Sequence, residues 1–277
     1  MSFRTFIKTS AIGRVALIPW RLKNALGVCL PTVGASVAWA FRSREHYNYT
    51  YNLTEQNKDY LAAFICVITK SSFSQARACL DEIENDSELR AQISALGGLS
   101  EERYVTDPEV RYGRRIGWYA FVRLMKPSCV VETGVDKGLG TCVIAAALRR
   151  NAMEGAPGKV VAIDINPAAG FLVGPSLRDF VDFRFEDSLG ALRGLDRTAD
   201  IFIHDSDHTL EHERKEYAAV EPHLSAKSLI LSDNSAQSAE LLAYALKSGR
   251  EFLYFAEQPK DHWWPGEGIG VAFKQTG

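Results

Sequence analysis

The sequence lacks a charge excess. It sets 32 Lys and Arg against 34 Asp and Glu, for a formal net charge of −2. A nucleic-acid interface leaves a basic footprint, so this balance argues against nucleic acid as a partner. Cysteine is sparse and odd in number: Cys29, Cys66, Cys79, Cys129 and Cys142, mostly inside apolar runs. That usage excludes a disulfide framework and fits small buried hydrophobes in a reducing, cytoplasmic compartment. Internal repeats and low-complexity runs are absent, which excludes solenoids and disordered tails. Convincing signal-peptide cleavage sites are also missing. The chain has 277 residues, 46% of them hydrophobic, enough for one large domain with an appendage and a sizeable core.

Long uncharged runs are also few. One, Asn24 to Phe41, spans 18 residues between Arg21 and Lys23 on one side and Arg42 and Arg44 on the other. This is near the lower limit for a membrane span, and Gly27, Pro31 and Gly34 interrupt it. Packing on the rest of the chain or on a partner subunit is the expectation, with peripheral membrane contact through residues 24–41 as the alternative.

Residues 1–105 read as a helical N-terminal extension and residues 106–277 as the catalytic domain. Thr54 caps a stripe of Leu61, Phe64, Ile65 and Ile68. Ser72 and Gln75 have capping-box spacing, and Leu89, Ile93 and Leu96 form a stripe ending at Gly97-Gly98. Asp107-Pro108-Glu109 predicts a helix start, running to Lys126 before Pro127. From Ser128 the rhythm alternates between strand and helix, which implies parallel strands with right-handed crossovers. Strands are expected at Cys129–Val135, Lys159–Ile165, Val181–Glu186, Asp200–His204, Leu229–Asp233, Glu251–Glu257 and Gly268–Lys274. The last two lack a connecting helix and should pair antiparallel. The fold class is α/β: a Rossmann-like, doubly wound seven-stranded sheet, mostly parallel with one antiparallel strand. Ligands of such sheets lie outside the carboxyl ends of the strands.

The first strand ends in Glu132-Thr133-Gly134-Val135-Asp136-Lys137-Gly138-Leu139-Gly140, an E-x-G-x-x-x-G-x-G spacing. A nicotinamide-binding turn reads G-x-G-x-x-G and seats a pyrophosphate. The wider spacing with a leading acid suits a ligand without phosphate that carries a cationic amine. This segment resembles the first motif of class I S-adenosylmethionine-dependent methyltransferases. Asp164, 24 residues after Gly140, ends the second strand and suits two ribose hydroxyls. A helix cap is its plainer role. In the resembled family Asp187 and Ser188 would meet the adenine edge, although Asp187 also suits a cap. Asp205 belongs to the cofactor edge as well. The resemblance thus implies a cofactor site of Glu132, Gly134, Gly138, Gly140, Asp164, Asp187, Ser188 and Asp205.

The fourth strand ends in His204-Asp205-Ser206-Asp207-His208 and the fifth in Ser232-Asp233-Asn234. Asp205, Asp233 and Asn234 supply hard oxygen ligands suited to Mg²⁺ or another divalent cation. The same two motifs occur in the metal-dependent O-methyltransferases of catechols and caffeoyl thioesters. There a lysine three residues after the first Asp removes the substrate proton. Here that position is His208, as in the branch with macrolide-sugar O-methyltransferases, and histidine suits base work near neutral pH. The resemblance implies methyl transfer to a hydroxyl of a small molecule, such as a sugar or secondary metabolite, by a homo-oligomer.

Two other enzyme readings compete. A carboxylate-bound metal could serve a hydroxylase, but non-haem iron wants two histidines, and His204 should alternate away into the sheet. His208-Thr209-Leu210-Glu211-His212 matches the H-x-x-E-H of a class of zinc peptidases. Charged residues follow it, and His212 is expected to be a solvated helix residue. A non-catalytic cofactor-binding module is a further alternative. Arg111, Arg114 and Arg115 read as a charged helix face that could meet an anionic substrate group. Trp263-Trp264 reads as a lid or as packing for the N-terminal helices.

Overall fold

The computed structural model describes residues 3–46 and 49–274. It divides into two compact units. One holds residues 1–43 with 261–264, and the other holds residues 44–260 with 265–277.

The larger unit is built on one seven-stranded sheet: β1 Cys129–Thr133, β2 Lys159–Asp164, β3 Val181–Phe185, β4 Ala199–His204, β5 Leu224–Ser232, β6 Glu251–Phe255 and β7 Ile269–Phe273. Their order is β3-β2-β1-β4-β5-β7-β6. The first five pair in parallel, whereas β7 lies antiparallel between β5 and β6. β1 is buried along its whole length and β4 at every residue but Asp200, as the apolar runs of these central strands require. Phe202, Ile230, Val131 and Ile163 join one core with Tyr217 and Leu241 from the covering helices.

Helices cover both faces. The first unit contains α1 Phe3–Thr9, α2 Ala11–Ala16 and α3 Ile18–Arg42. The second contains α4 Glu55–Thr69, α5 Phe73–Glu84, α6 Ser87–Leu99, α7 Arg115–Met125, α8 Leu139–Met153, α9 Pro175–Arg178, α10 Ser188–Arg193, α11 Leu210–Val220 and α12 Glu240–Ser248. Thr54 caps α4 through the Asn57 amide, and Ser72 with Gln75 closes a full capping box on α5.

The boundary between compact units falls after Ser43, not at residue 105. The reason lies in the faces of α4 and its neighbours. Leu61, Ala62 and Ile65 are fully buried, and the Phe64 ring packs against Phe121 of α7 and Phe255 of β6. Asn57 fixes the entry to α4: its side chain donates to the Ala256 carbonyl and accepts from the Gln258 amide. Residues 44–105 therefore cover the same sheet that carries the site.

The helix expected from Asp107 to Lys126 begins only at Arg115. The Asp107 carboxylate does cap amides, those of Glu109 and Arg111, but it closes a turn. Val110 at φ +51° and Gly113 at φ +54° then turn the chain out of the right-handed region. The cap signal was real, and the left-handed residues behind it override helix propagation.

In the first unit, the Trp39 and Trp263 rings meet edge to face with centroids 5.2 Å apart. Residues 261–264 thus pack with the N-terminal helices, the second of the two roles expected for the tryptophan pair.

Candidate active site

Parallel strands put their carboxyl ends on one edge. Gly134 follows β1, Asp164 ends β2, Asp187 follows β3, Asp205 follows β4 and Asp233 follows β5. Backbone bonds continue past the strands and lock these ends in register: Gly134 N donates to Ile163 O, Asp205 N to Thr133 O and Asp233 N to His204 O. The residues expected at the site are thereby gathered along one line.

The glycine turn is shaped by what lies against it. Gly134 sits at φ +83°, and a Cβ there would lie 2.0 Å from the Asp205 carbonyl oxygen. Only glycine lets the end of β4 come this close. At Gly140 a Cβ would lie 2.4 Å from the Glu132 carboxylate and 2.8 Å from the Trp118 ring. Gly138, also left-handed, is the N-cap of α8. Asp164 organises the same turn, with one carboxylate oxygen accepting from the Val135 and Asp136 amides at 2.9 Å each and the other from Asn166 at 2.8 Å. Glu132 is buried and accepts a hydrogen bond from Thr141 at 2.6 Å. Burial pushes its carboxyl up to about 8, the Thr141 bond only partly offsetting that. Asp187 caps α10 through Gly190 N, and the Ser188 hydroxyl bonds His212 Nε2 at 3.1 Å.

Next to this turn lies an acidic cluster. One ligand atom each from Asp205, His208 and Asp233 lies within 4.8 Å of the other two, the grouping of this kind found among the described residues. His208 Nε2 stands 3.7 Å from Asp205 Oδ1. Asn234 turns its amide nitrogen to the Glu213 carboxylate at 3.1 Å and to the His208 carbonyl at 3.2 Å.

Residues 131–235 match the family model of a methyltransferase domain. The matched stretch, from β1 to the turn after β5, is similar to a methyltransferase domain. No curated protein sequence matches the chain. Many solved structures match, among them two that share the fold as follows. The S-adenosylhomocysteine-bound methyltransferase PaMTH1 of Podospora anserina is 12% identical, covers 83% of this chain and 100% of its own, and superposes with a TM-score of 0.51. The O-methyltransferase TomG of Streptomyces achromogenes, solved with S-adenosylmethionine, is 13% identical over 69% of this chain and 92% of its own, with a TM-score of 0.50. The fold, with β7 inserted antiparallel beside β5, is the class I methyltransferase fold.

Several residues that shape the candidate site were not legible as such in the sequence. Arg114 is buried and ion-pairs with Asp233, while Arg115 approaches Asp205 at 3.4 Å. They are not a solvated helix face. Burial works against ionising Asp233, but the Arg114 charge outweighs it and holds the carboxyl below the usual range. Asp205 moves the other way, raised by burial and by the negative charge of Asp233. The Asp205 carboxylate in turn raises His208 to about 9, against partial desolvation.

Behind the cluster, α11 buries two acids. Glu216 receives Thr133 Oγ1 at 2.8 Å, Ser206 Oγ at 2.8 Å, His204 Nδ1 at 2.7 Å and His212 Nε2 at 3.1 Å. An ionised carboxylate only accepts, so both imidazoles donate to it. Glu213 receives Tyr217 Oη at 2.5 Å and Ser232 Oγ at 3.1 Å. His204 does alternate into the sheet, fully buried. His212, expected in solvent, is held half-buried by Glu216 and Ser188 and stays out of the acidic cluster. This overturns the zinc-peptidase arrangement of two histidines sharing one ion. A signal was present: Glu213, Glu216, Tyr217 and Val220 share one buried helical stripe.

Proposed function

We propose that the protein is an S-adenosylmethionine-dependent O-methyltransferase acting on a hydroxyl of a small molecule, a sugar or a secondary metabolite, with His208 taking the hydroxyl proton. The observation that carries this reading is the meeting of two devices on one sheet edge: the acid-led glycine turn and the Asp205–His208–Asp233 cluster.

Glu132 supports the cofactor assignment. A buried carboxyl pushed to about 8 gains from a cationic ligand nearby, and the methyl donor carries an amine and a sulfonium. Gly134, Gly138 and Gly140 let the end of β4, Gly170 and Glu132 close in on the turn, which fixes the backbone that would face that ligand. Asp164 would accept ribose hydroxyls, and Asp187 and Ser188 would meet the adenine edge. Asp205, at the end of β4, adjoins Gly134 and lines the same cofactor edge.

The donor set fits a divalent cation in chemical type. Asp205 and Asp233 would hold it together with Asn234, whose amide nitrogen is engaged by Glu213 and the His208 carbonyl so that its Oδ1 is the ligand atom, and His208 Nε2 is kept for the proton. Such an ion would act as a Lewis acid on the acceptor hydroxyl. Arg114 and Arg115 serve the same carboxylates in this structure and would share them with the ion. The chain's own contribution is alignment and charge placement. Arg115 and Arg114 set the charge of the two acids. That charge sets how tightly His208 keeps its proton, and His208 Nε2 is the atom that receives the acceptor's proton. Lowering the negative charge on Asp205 frees that nitrogen at neutral pH.

Calorimetric titration tests the reading. S-adenosylmethionine and, separately, NAD would be titrated into the full chain with and without Mg²⁺. Micromolar binding of the methyl donor and none of NAD is expected, with Mg²⁺ uptake that disappears in Asp205→Asn and Asp233→Asn. A chain that failed to bind S-adenosylmethionine both with and without Mg²⁺ would sink the proposal.

A further inference from the structure

The N-terminal unit has a chemistry of its own. Residues 1–44 contain seven of the chain's 32 Lys and Arg and none of its 34 Asp and Glu. Their helices expose large apolar side chains to a degree that soluble surfaces avoid. Val28 is 75% exposed, Ile12 70% and Trp20 63%, and no residue of α3 is buried.

We propose that residues 11–42 insert into a lipid bilayer bearing anionic headgroups and anchor the catalytic unit to the membrane. This rests on the N-terminal unit alone and stands or falls independently of the methyltransferase reading.

Three features choose a bilayer over a protein partner. The apolar surface runs around the helix: Leu26 and Val28, or Val33 and Ala35, lie two residues apart, about 200° around the axis. A partner protein covers one stripe, whereas acyl chains cover the whole circumference. Length agrees as well. Residues Ala11–Arg42 run helical for 32 residues with a mean hydropathy of 1.4 over their most apolar window. The charge-free run from Asn24 to Phe41 is 18 residues, about 27 Å of helix against a hydrocarbon core of about 30 Å. The ends agree too. Arg21 and Lys23 precede the run, Arg42 and Arg44 follow it, and Trp20 and Trp39 stand 19 residues apart at its two borders. Tryptophan at both interfaces with cations beyond it is how a bilayer holds a helix. Pro31 in mid-helix is tolerated in such surroundings.

Vesicle flotation of the full chain tests this. The vesicles are phosphatidylcholine with and without phosphatidylglycerol, and a Leu26→Glu/Val33→Glu variant is run beside the native chain. The native chain should float with the vesicles and resist a salt wash. The variant should lose binding about ten-fold or more while its main thermal transition stays put, since neither residue is buried. Replacing Arg21, Lys23, Arg42 and Arg44 by Gln should bring binding to anionic vesicles down to the neutral level. A native chain that remained monodisperse without detergent and did not float would overturn the proposal. So would a variant that only split an oligomer, because that would assign the surface to a second copy of the chain.

Discussion

Arg114 and Asp233 form an ion pair buried at the carboxyl end of β5, with the guanidinium also 3.4 Å from Tyr51 Oη and 3.8 Å from Glu257. One residue comes from the turn before α7, the other from the strand end that carries the acidic cluster. Removing the cation leaves two acids without their counter-charge in a dry site. Arg114→Ala should therefore cost about 3–5 kcal/mol of stability. Chemical denaturation checks this, and Arg114→Ala combined with Asp233→Asn should recover part of the loss.

Gly134→Ala should damage folding and ligand binding together. The added methyl meets the Asp205 carbonyl rather than a side chain that can swing aside, and the backbone angle is left-handed. Soluble yield and melting temperature report the first effect, and calorimetry of S-adenosylmethionine the second. A Gly134→Ala protein as stable as the native chain would show that the β1–β4 contact is looser than described.

His208→Gln separates chemistry from binding. Loss of a general base lowers the rate about 10²–10⁴-fold, while affinity for the methyl donor should stay unchanged. The native rate has a predicted pH profile. Because Asp205 raises His208 to about 9, the imidazole is protonated at neutral pH. Without added cation the methyl-transfer rate should rise with pH and level off only above about 9. A cation on Asp205 should move that rise to lower pH. A flat profile would remove His208 from the role of base.

Glu216 predicts an acid-sensitive stability. Burial alone would raise its carboxyl, but the hydrogen bonds led by His204 outweigh it and bring it from 4.5 to about 2. A group with a depressed folded pKa stabilises above its ordinary value, and that contribution fades as pH falls from about 4.5 to about 2. Glu216→Gln should be less stable near pH 6, and its deficit should shrink over that acid range. Melting curves of the two proteins across pH measure it.

The sheet and its chemical edge were legible in the sequence because both depend on local patterns. Apolar runs ending at Thr133, Asp164, His204 and Ser232 mark strands, and in a parallel sheet every strand end faces the same side. The capping residues Thr54 and Ser72 likewise announce their helices through bonds made within three residues. The helix expected from Asp107 shows where that locality fails: its cap formed, but Val110 and Gly113 adopt left-handed angles that no short pattern foretold.

The electrostatics of the site were decided elsewhere. Arg114 and Arg115 sit in a charged stretch that reads as solvent-facing, and α11 presents E-H-E-R-K-E as if to water. Whether such a charge is buried depends on what the fold packs against it, across roughly 120 residues for Arg114 and Asp233 and 83 for Thr133 and Glu216. By itself, then, the sequence determined the strands, their direction and the edge on which polar residues gather, because these follow from periodicity and handedness. Only the tertiary structure decided which acids are paired, which imidazole lies against Asp205, and that Glu216 serves as a buried acceptor for four side chains. Ion pairing and desolvation are set by neighbours distant in the chain.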